Sequence, residues 1–250
     1  NQGIVAWCWK ANGSGSANSD GALSSTVSAN TAAGFSIVNF TGNGSGTTVG
    51  HGLSKAPELI ITKGRNFTDA WHTQVYPAIV ATKTLLLNTT GAQTTSNAFN
   101  DTAPTTSVFS IGTEGAVGGG NTNNFVAYIF SERQGYSKFG VYKGNGSTDG
   151  SFINLGFKPA WLMARRTDAD NEFFIWDTKR NPFNEVDLNI RANQADAEVD
   201  QANKEVDYLS NGIKLRTSSG EWNSSGNSYI YMTFAESPFV NSNGVPNNAK

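Results

Sequence analysis

The two histidines, His51 and His72, are the side chains best suited to proton transfer or metal binding near neutral pH. The one thiol, Cys8, stands at separations from them that match no zinc spacing, so structural or surface histidines are the default. In RTDADNEFFIWD, Asp168, Asp170 and Glu172 lie at spacing two, like the start of a calcium loop. The sixth position is Phe173 where an EF-hand needs glycine, and no glutamate closes the twelfth. These three acids are the candidate calcium ligands, a solvated hairpin tip is the competing reading, and no other cofactor is expected.

Acids that could flank a glycosidic bond (Asp177, Glu185, Glu221, Glu236) have nothing that sets one pair apart. Glu132 and Glu236 end equivalent strands and read as structural. No Gly-x-Ser-x-Gly elbow occurs, so a non-enzymatic protein is expected, with a polysaccharide depolymerase as the rival. Indole and phenol rings stack on sugar faces when they reach solvent. Trp71, beside His72, and Trp222, inside the polar run SSGEWNSSGNS, are placed to do so. Trp71, His72 and Trp222 are therefore the candidate ligand-binding residues, whereas Trp161, Trp176, Tyr229 and Tyr231 sit in strand-like runs and read as core.

The glycine-rich TGNGSGTTVGHGLSKAP (41–57) invites comparison with phosphate-cradling loops. It is strand-like on both sides and opens no helix, so neither the Gly-x4-Gly-Lys-Ser/Thr loop nor the dinucleotide fingerprint has its context. It reads as a strand connection in which Asn-Gly supplies a positive φ.

What must position these residues is a turn-rich, low-charge chain. It has 250 residues, 38% hydrophobic and 15% charged, with 27 glycines and net charge −2. Lysine and arginine are scattered, so nucleic acid is not an expected partner. A single cysteine excludes an intrachain disulfide framework. No apolar run approaches a membrane span, and no membrane insertion is expected. A start at Asn1 is expected of a processed product or a piece of something longer.

FTGNGSGTTVGHGLSKAPELIITK, from Phe40, aligns without a gap on YKGNGSTDGSFINLGFKPAWLMAR, from Tyr142, at a displacement of 102 residues. Gly42-Asn43-Gly44 falls on Gly144-Asn145-Gly146, Pro57 on Pro159 and Lys63 on Arg165. FVAYIFSE (125–132) matches YIYMTFAE (229–236) at 104. VAWCWK (5–10) echoes VAYIFS (126–131) and predicts a strand left from a preceding copy.

Short β-branched or aromatic segments bounded by turn residues predict an all-β fold of two tandem, jelly-roll-like β-sandwich modules. The expected boundaries are 1–33 for the N-terminal strand and a Gly/Ser-rich linker, 34–135 for the first copy, and 136–250 for the second with a short polar tail. FSIVNF and FVAYIF are apolar on both faces and belong at inner positions. NQADAEVDQANKEVD (193–207) reads equally as a surface helix or a solvated loop.

GFSIVNFTGNGSGTTVGHGLSKAPELIITK, the later VAYIFSE followed by YSKFGVYKGNGSTDG, and the closing YIYMTFAESPF together resemble the duplicated β-rich domain of tail-fibre-like and structural proteins of marine tailed bacteriophages. The resemblance runs from Val5 to about Val240. It implies a virion-surface, extracellular location, a role in a fibre, spike or decoration protein, and other virion proteins as partners. It also implies a homo-oligomer, a trimer by analogy with phage fibres, and contact with a host-surface glycan. It supplies no catalytic residues. A carbohydrate-binding or adhesin module of a secreted protein, and a self-assembling filament or capsid-decoration subunit, are the alternatives.

Overall fold

The computed structural model describes residues 4–118, 122–200 and 203–238. The first half contains β1 (Ser16–Asn18), β2 (Ser25–Asn30), β3 (Phe35–Thr41), β4 (Thr47–Gly50), β5 (Leu59–Gly64), β6 (His72–Val75), β7 (Lys83–Leu86), β8 (Thr94–Thr95), β9 (Val108–Ile111) and β10 (Asn124–Phe130). The second contains β11 (Ser137–Lys143), β12 (Phe152–Asn154), β13 (Pro159–Arg166), β14 (Phe174–Asp177), β15 (Leu188–Arg191), β16 (Val199–Asp200), β17 (Val206–Leu209), β18 (Gly212–Leu215), one helical turn α1 (Gly220–Asn223) and β19 (Ser228–Ala235). The fold is all-β, built from antiparallel sheets, as the short apolar segments predict.

Eight strands form one large sheet in the order β1-β2-β3-β10-β5-β6-β7-β8, and six form a second, β11-β19-β13-β14-β15-β16. Two small sheets, β4-β9 and β12-β18-β17, complete the set. Within the large sheets β3-β10-β5-β6-β7 and β11-β19-β13-β14-β15 follow the same path, with the last strand of each half inserted between β3 and β5 or between β11 and β13. The Gly-Asn-Gly connections also match. Asn43 and Asn145 each accept, at 3.1 Å, the amide of the serine two residues on. Gly44 and Gly146 take φ of 79° and 71°, a conformation that side chains other than glycine's rarely adopt.

Strand periodicity then separates the side chains into layers. In β3, Val38 and Phe40 point to one face and pack with Ala127 and Ile129 of β10, Ile60 of β5, and Val49, Phe109 and Ile111 from the small sheet. Phe35 points to the opposite face with Leu59, Ile61 and Phe130. There it meets Phe139, Trp161, Met163, Met232 and Phe234 of the other large sheet. The second half repeats the division, with Leu162, Phe174, Trp176 and Tyr229 facing Ile153, Val206, Ile213 and Leu215. Each half thus owns a core, and a third core is shared where the two large sheets pack face to face. Each large apolar side chain in that shared layer contributes on the order of 1.5–3 kcal/mol of burial, which fuses the halves. β3 and β10, apolar on both faces, are sheet-interior strands covered on both sides along most of their length.

Three expectations are corrected. VAWCWK forms no strand; residues 4–15 are irregular, and Trp7 and Trp9 lay their rings against the shared core instead. Trp9 meets Trp161 at 5.6 Å, Phe234 at 5.4 Å and Phe130 at 6.0 Å. The Gly/Ser-rich stretch is no linker, since it supplies β1 and β2, and β2 pairs along β3 from Ser25–Phe40 to Asn30–Phe35. Among the described residues of 193–207 there is no helix, and β16 and the start of β17 lie there. The polar tail lies outside the described residues from 239 onward.

Candidate functional site

One face of the first large sheet changes character along its strands. In β3 the residues on that face are, in order, Phe35, Ile37, Asn39 and Thr41. In β10 they are Phe130, Tyr128, Val126 and Asn124, and in β5 Leu59, Ile61 and Lys63, with Arg65 following the strand. The first members are covered by the second sheet. The last are not: Thr41, Arg65 and Asn124 are exposed and Asn39, Lys63 and Val126 half-buried. Register aligns them across the sheet, Thr26 opposite Asn39, Thr41 opposite Asn124, and Val126 between Asn39 and Lys63. The result is a shallow groove of about 370 Å³ lined by Ser24, Thr26, Asn39, Thr41, Arg65 and Asn124. Thr41 Oγ1 donates to Asn124 Oδ1 at 2.9 Å, and Arg65 Nη1 to Asn39 Oδ1 at 3.4 Å.

Trp71 lies on the same face at the β6 side, on the line of Ile61 and Lys63 rather than in the groove's lining. It precedes β6, its half-buried ring stacks on Tyr128 with centroids 6.2 Å apart and planes 17° apart, and Lys63 Nζ donates to the carbonyl of neighbouring Asp69 at 2.7 Å. The loop after β7 fixes its backbone: Trp71 N donates to Asn88 Oδ1 and Leu87 N to Trp71 O, both at 2.9 Å. That loop is clasped in turn from the second half. Arg165, fully buried, donates to the carbonyls of Leu86 (3.2 Å), Thr89 (3.1 Å), Thr90 (2.5 Å) and Gly91, with its guanidinium 4.6 Å from the Phe173 ring centre. Burial pulls its pKa down to about 10, so it remains a cation at neutral pH. Nothing in its spacing marks this residue; the only hint is that the first of the two arginines after the apolar run AWLMA occupies the position matching Lys63 in the repeat.

His72 does not join Trp71. Adjacent strand residues point to opposite faces, and His72 lies buried opposite Thr62, where burial lowers its pKa and Nδ1 has no hydrogen-bond partner. Trp222 is corrected outright. α1 turns it inward to complete burial, 4.3 Å from Trp176 and 5.8 Å from Tyr142, where it cannot offer a ring face to a sugar. The polar run around it serves the interior. Asn223, also fully buried, donates to Asn145 Oδ1 and to the carbonyls of Ser147 and Thr217 at 2.8–2.9 Å.

The three proposed calcium ligands take separate partners. Asp168 pairs with Arg166 Nε at 2.6 Å, Asp170 accepts the Ala92 amide at 3.2 Å, and Glu172 accepts from Asn193 (2.5 Å) and Gln194 (3.1 Å). No group of three metal-type side chains occurs among the described residues. His51 is a buried pin: Leu53 N donates to its Nδ1 at 3.2 Å, so Nε2 carries the proton toward Thr105 O at 3.1 Å, and burial lowers its pKa. Glu132, at the junction of the halves, accepts the Phe139 amide at 3.0 Å, and burial raises its pKa.

A separate apolar cleft of about 520 Å³ lies between the large sheets, with Trp7, Trp9, Ile61, Tyr128, Trp161 and Met163 among its walls. No helix among the described residues is long and apolar enough to cross a membrane. No curated protein and no solved structure matches this chain. A family model described as a domain of unknown function, DUF7483, matches residues 1–238, and the chain belongs to that family.

Proposed function

We propose that this chain is a non-enzymatic structural module of a bacteriophage virion, part of a tail fibre or other surface appendage, and that it contacts host-surface glycan through the uncovered end of its first large sheet. One observation carries the glycan contact: a single sheet face presents the half-buried Trp71–Tyr128 ring pair and, farther along the same strands, a groove lined by hydroxyl and amide side chains. Rings accept the apolar face of a pyranose, and amides and hydroxyls accept or donate to its rim. From β2 to β6 the face crosses four inter-strand gaps, about 19 Å, enough for several sugar rings in line. The virion assignment rests on the resemblance of the repeated segments. The common strand order and the matching Asn-Gly turns support duplication of one ancestral unit. Self-association and docking to other virion proteins are part of the same proposal.

The test is retention of the purified chain on a glycan array and on cells of the authentic host. Trp71→Ala abolishes retention, whereas Trp222→Phe leaves it intact. Absence of retention, or retention indifferent to both Trp71→Ala and Asn39→Ala, overturns the glycan reading. Release of reducing sugar from host polysaccharide would make the protein a depolymerase instead. Immunogold labelling of the source particle tests the virion assignment against a secreted carbohydrate-binding module.

A further inference from the structure

We infer that the glycan is anionic, a chain carrying uronate carboxylates or sulfate esters; this rests on the glycan reading of the groove. The protein as a whole carries net charge −2, yet no carboxylate lines the groove. Lys63 and Arg65, two residues apart on one strand line, project from the same side of the sheet, and neither forms an ion pair among the described residues. Their hydrogen bonds go to neutral oxygens, Lys63 to a backbone carbonyl and Arg65 to an amide. Asp69, whose carbonyl takes the Lys63 ammonium, accepts the Ala70 amide on its carboxylate Oδ1 at 2.6 Å.

Among the described residues eight other cations are held in ion pairs with carboxylates, Arg166, Arg180 and Arg216 among them. Arg65 in a groove of neutral donors and acceptors, with Lys63 two residues before it on the same face, forms an electrostatic complement to a polyanion. Arg65 provides a planar fork for a carboxylate or sulfate, and Lys63 a point charge beside the Trp71 ring. Trp71 and Tyr128 then define the sugar ring next to the charged one.

Titration calorimetry on the full chain tests this with oligogalacturonate against its carboxyl-reduced counterpart, and sulfated against plain dextran oligomers. The expected result is that one acidic probe binds at least about tenfold more tightly than its neutral partner at low salt, with the gap closing above about 0.3 M salt as charges are screened. Lys63→Gln and Arg65→Gln each cost roughly three- to tenfold for the acidic probe only. Arg65→Lys keeps most of the affinity, and thermal midpoints stay at the parent's value. Preference for uronate over sulfate, or the reverse, identifies the acid. Equal, Trp71-dependent binding of acidic and neutral probes overturns the charge inference and leaves the glycan reading standing; binding of no probe overturns both.

Discussion

Replacing Arg165 by methionine isolates what the buried clamp contributes. Methionine keeps an unbranched apolar stem of similar reach over Phe173 but removes all the donors now satisfying four carbonyls of the 86–91 loop. A charged hydrogen bond contributes about 1.5–3 kcal/mol, and stranding the partners of a buried ion costs more than the bonds were worth. Rehydration of the loop carbonyls returns part of that, so the net loss is about 3–5 kcal/mol. For a chain of this size about 2–4 °C accompany each kcal/mol, which places the fall in melting temperature at roughly 6–20 °C. Lysine has one nitrogen where four carbonyls meet two, so Arg165→Lys falls between methionine and the parent. Calorimetric melting with urea titration at neutral pH reads both. The loop also anchors Trp71 through Asn88 and Leu87, so Arg165→Met weakens glycan retention severalfold as well. A methionine variant melting within about 2 °C of the parent refutes the clamp, and a full melting loss with unchanged retention refutes its connection to Trp71.

Trp222→Ala, in contrast, empties a fully buried site and costs about 3–5 kcal/mol, whereas half-exposed Trp71→Ala costs under about 2 kcal/mol; urea midpoints of the two variants check the order. Trp9→Ala removes ring contacts to Trp161, Phe130 and Phe234 and lowers stability by about 1.5–3 kcal/mol without changing oligomeric state, measured by melting and light scattering. His51 and His72 hold folded-state pKa values below the ordinary 6.5, so the unfolded chain binds more protons and stability falls as pH drops through about 6.5. Glu132, raised above 4.5, acts with the opposite sign: the stability it lends is full below about 4.5 and is lost as pH rises through its raised value. Urea midpoints between about pH 7.5 and 5.5 decline for the parent and flatten for a His51→Gln/His72→Gln double variant; a flat parent profile contradicts the burial argument.

Strand existence was legible because short apolar runs leave few alternatives, and double-sided hydrophobicity correctly sent FSIVNF and FVAYIF to the sheet interior. Partnership was not legible. VAWCWK has the composition of a strand, but the edge beside it is taken by β1 and β2, whose Ser, Thr and Asn content made them look like a linker. Trp222 misled for a related reason: the serines and asparagines around it hydrogen-bond inward, so a polar neighbourhood did not mean exposure. Trp71 could be named from its setting, yet His72 beside it points through the sheet to the other face. The clamp of Arg165 on a loop far away in sequence leaves no local signature beyond a charge at the end of an apolar run.

The candidate face was nevertheless written in the sequence once the period-two rule is applied beyond the core. Same-face residues of one strand are collinear, so the step from Phe35 and Ile37 to Asn39 and Thr41 marks where the second sheet stops covering the first. β11 makes its own step at the corresponding place, from buried Phe139 to 47%-exposed Val141 and then Lys143. The halves therefore overlap only partly, each leaving one end of its large sheet open. The two ends differ in what surrounds them. At the first, Asn39, Thr41, Lys63, Arg65 and Asn124 come together beside Trp71. At the second, the position matching Lys63 is Arg165, turned inward to hold the 86–91 loop. A cation that stands without an ion pair in one half is consumed as a clamp in the other, so the two open ends have different chemistry, and the first sets its unpaired charge beside the half-buried rings of Trp71 and Tyr128.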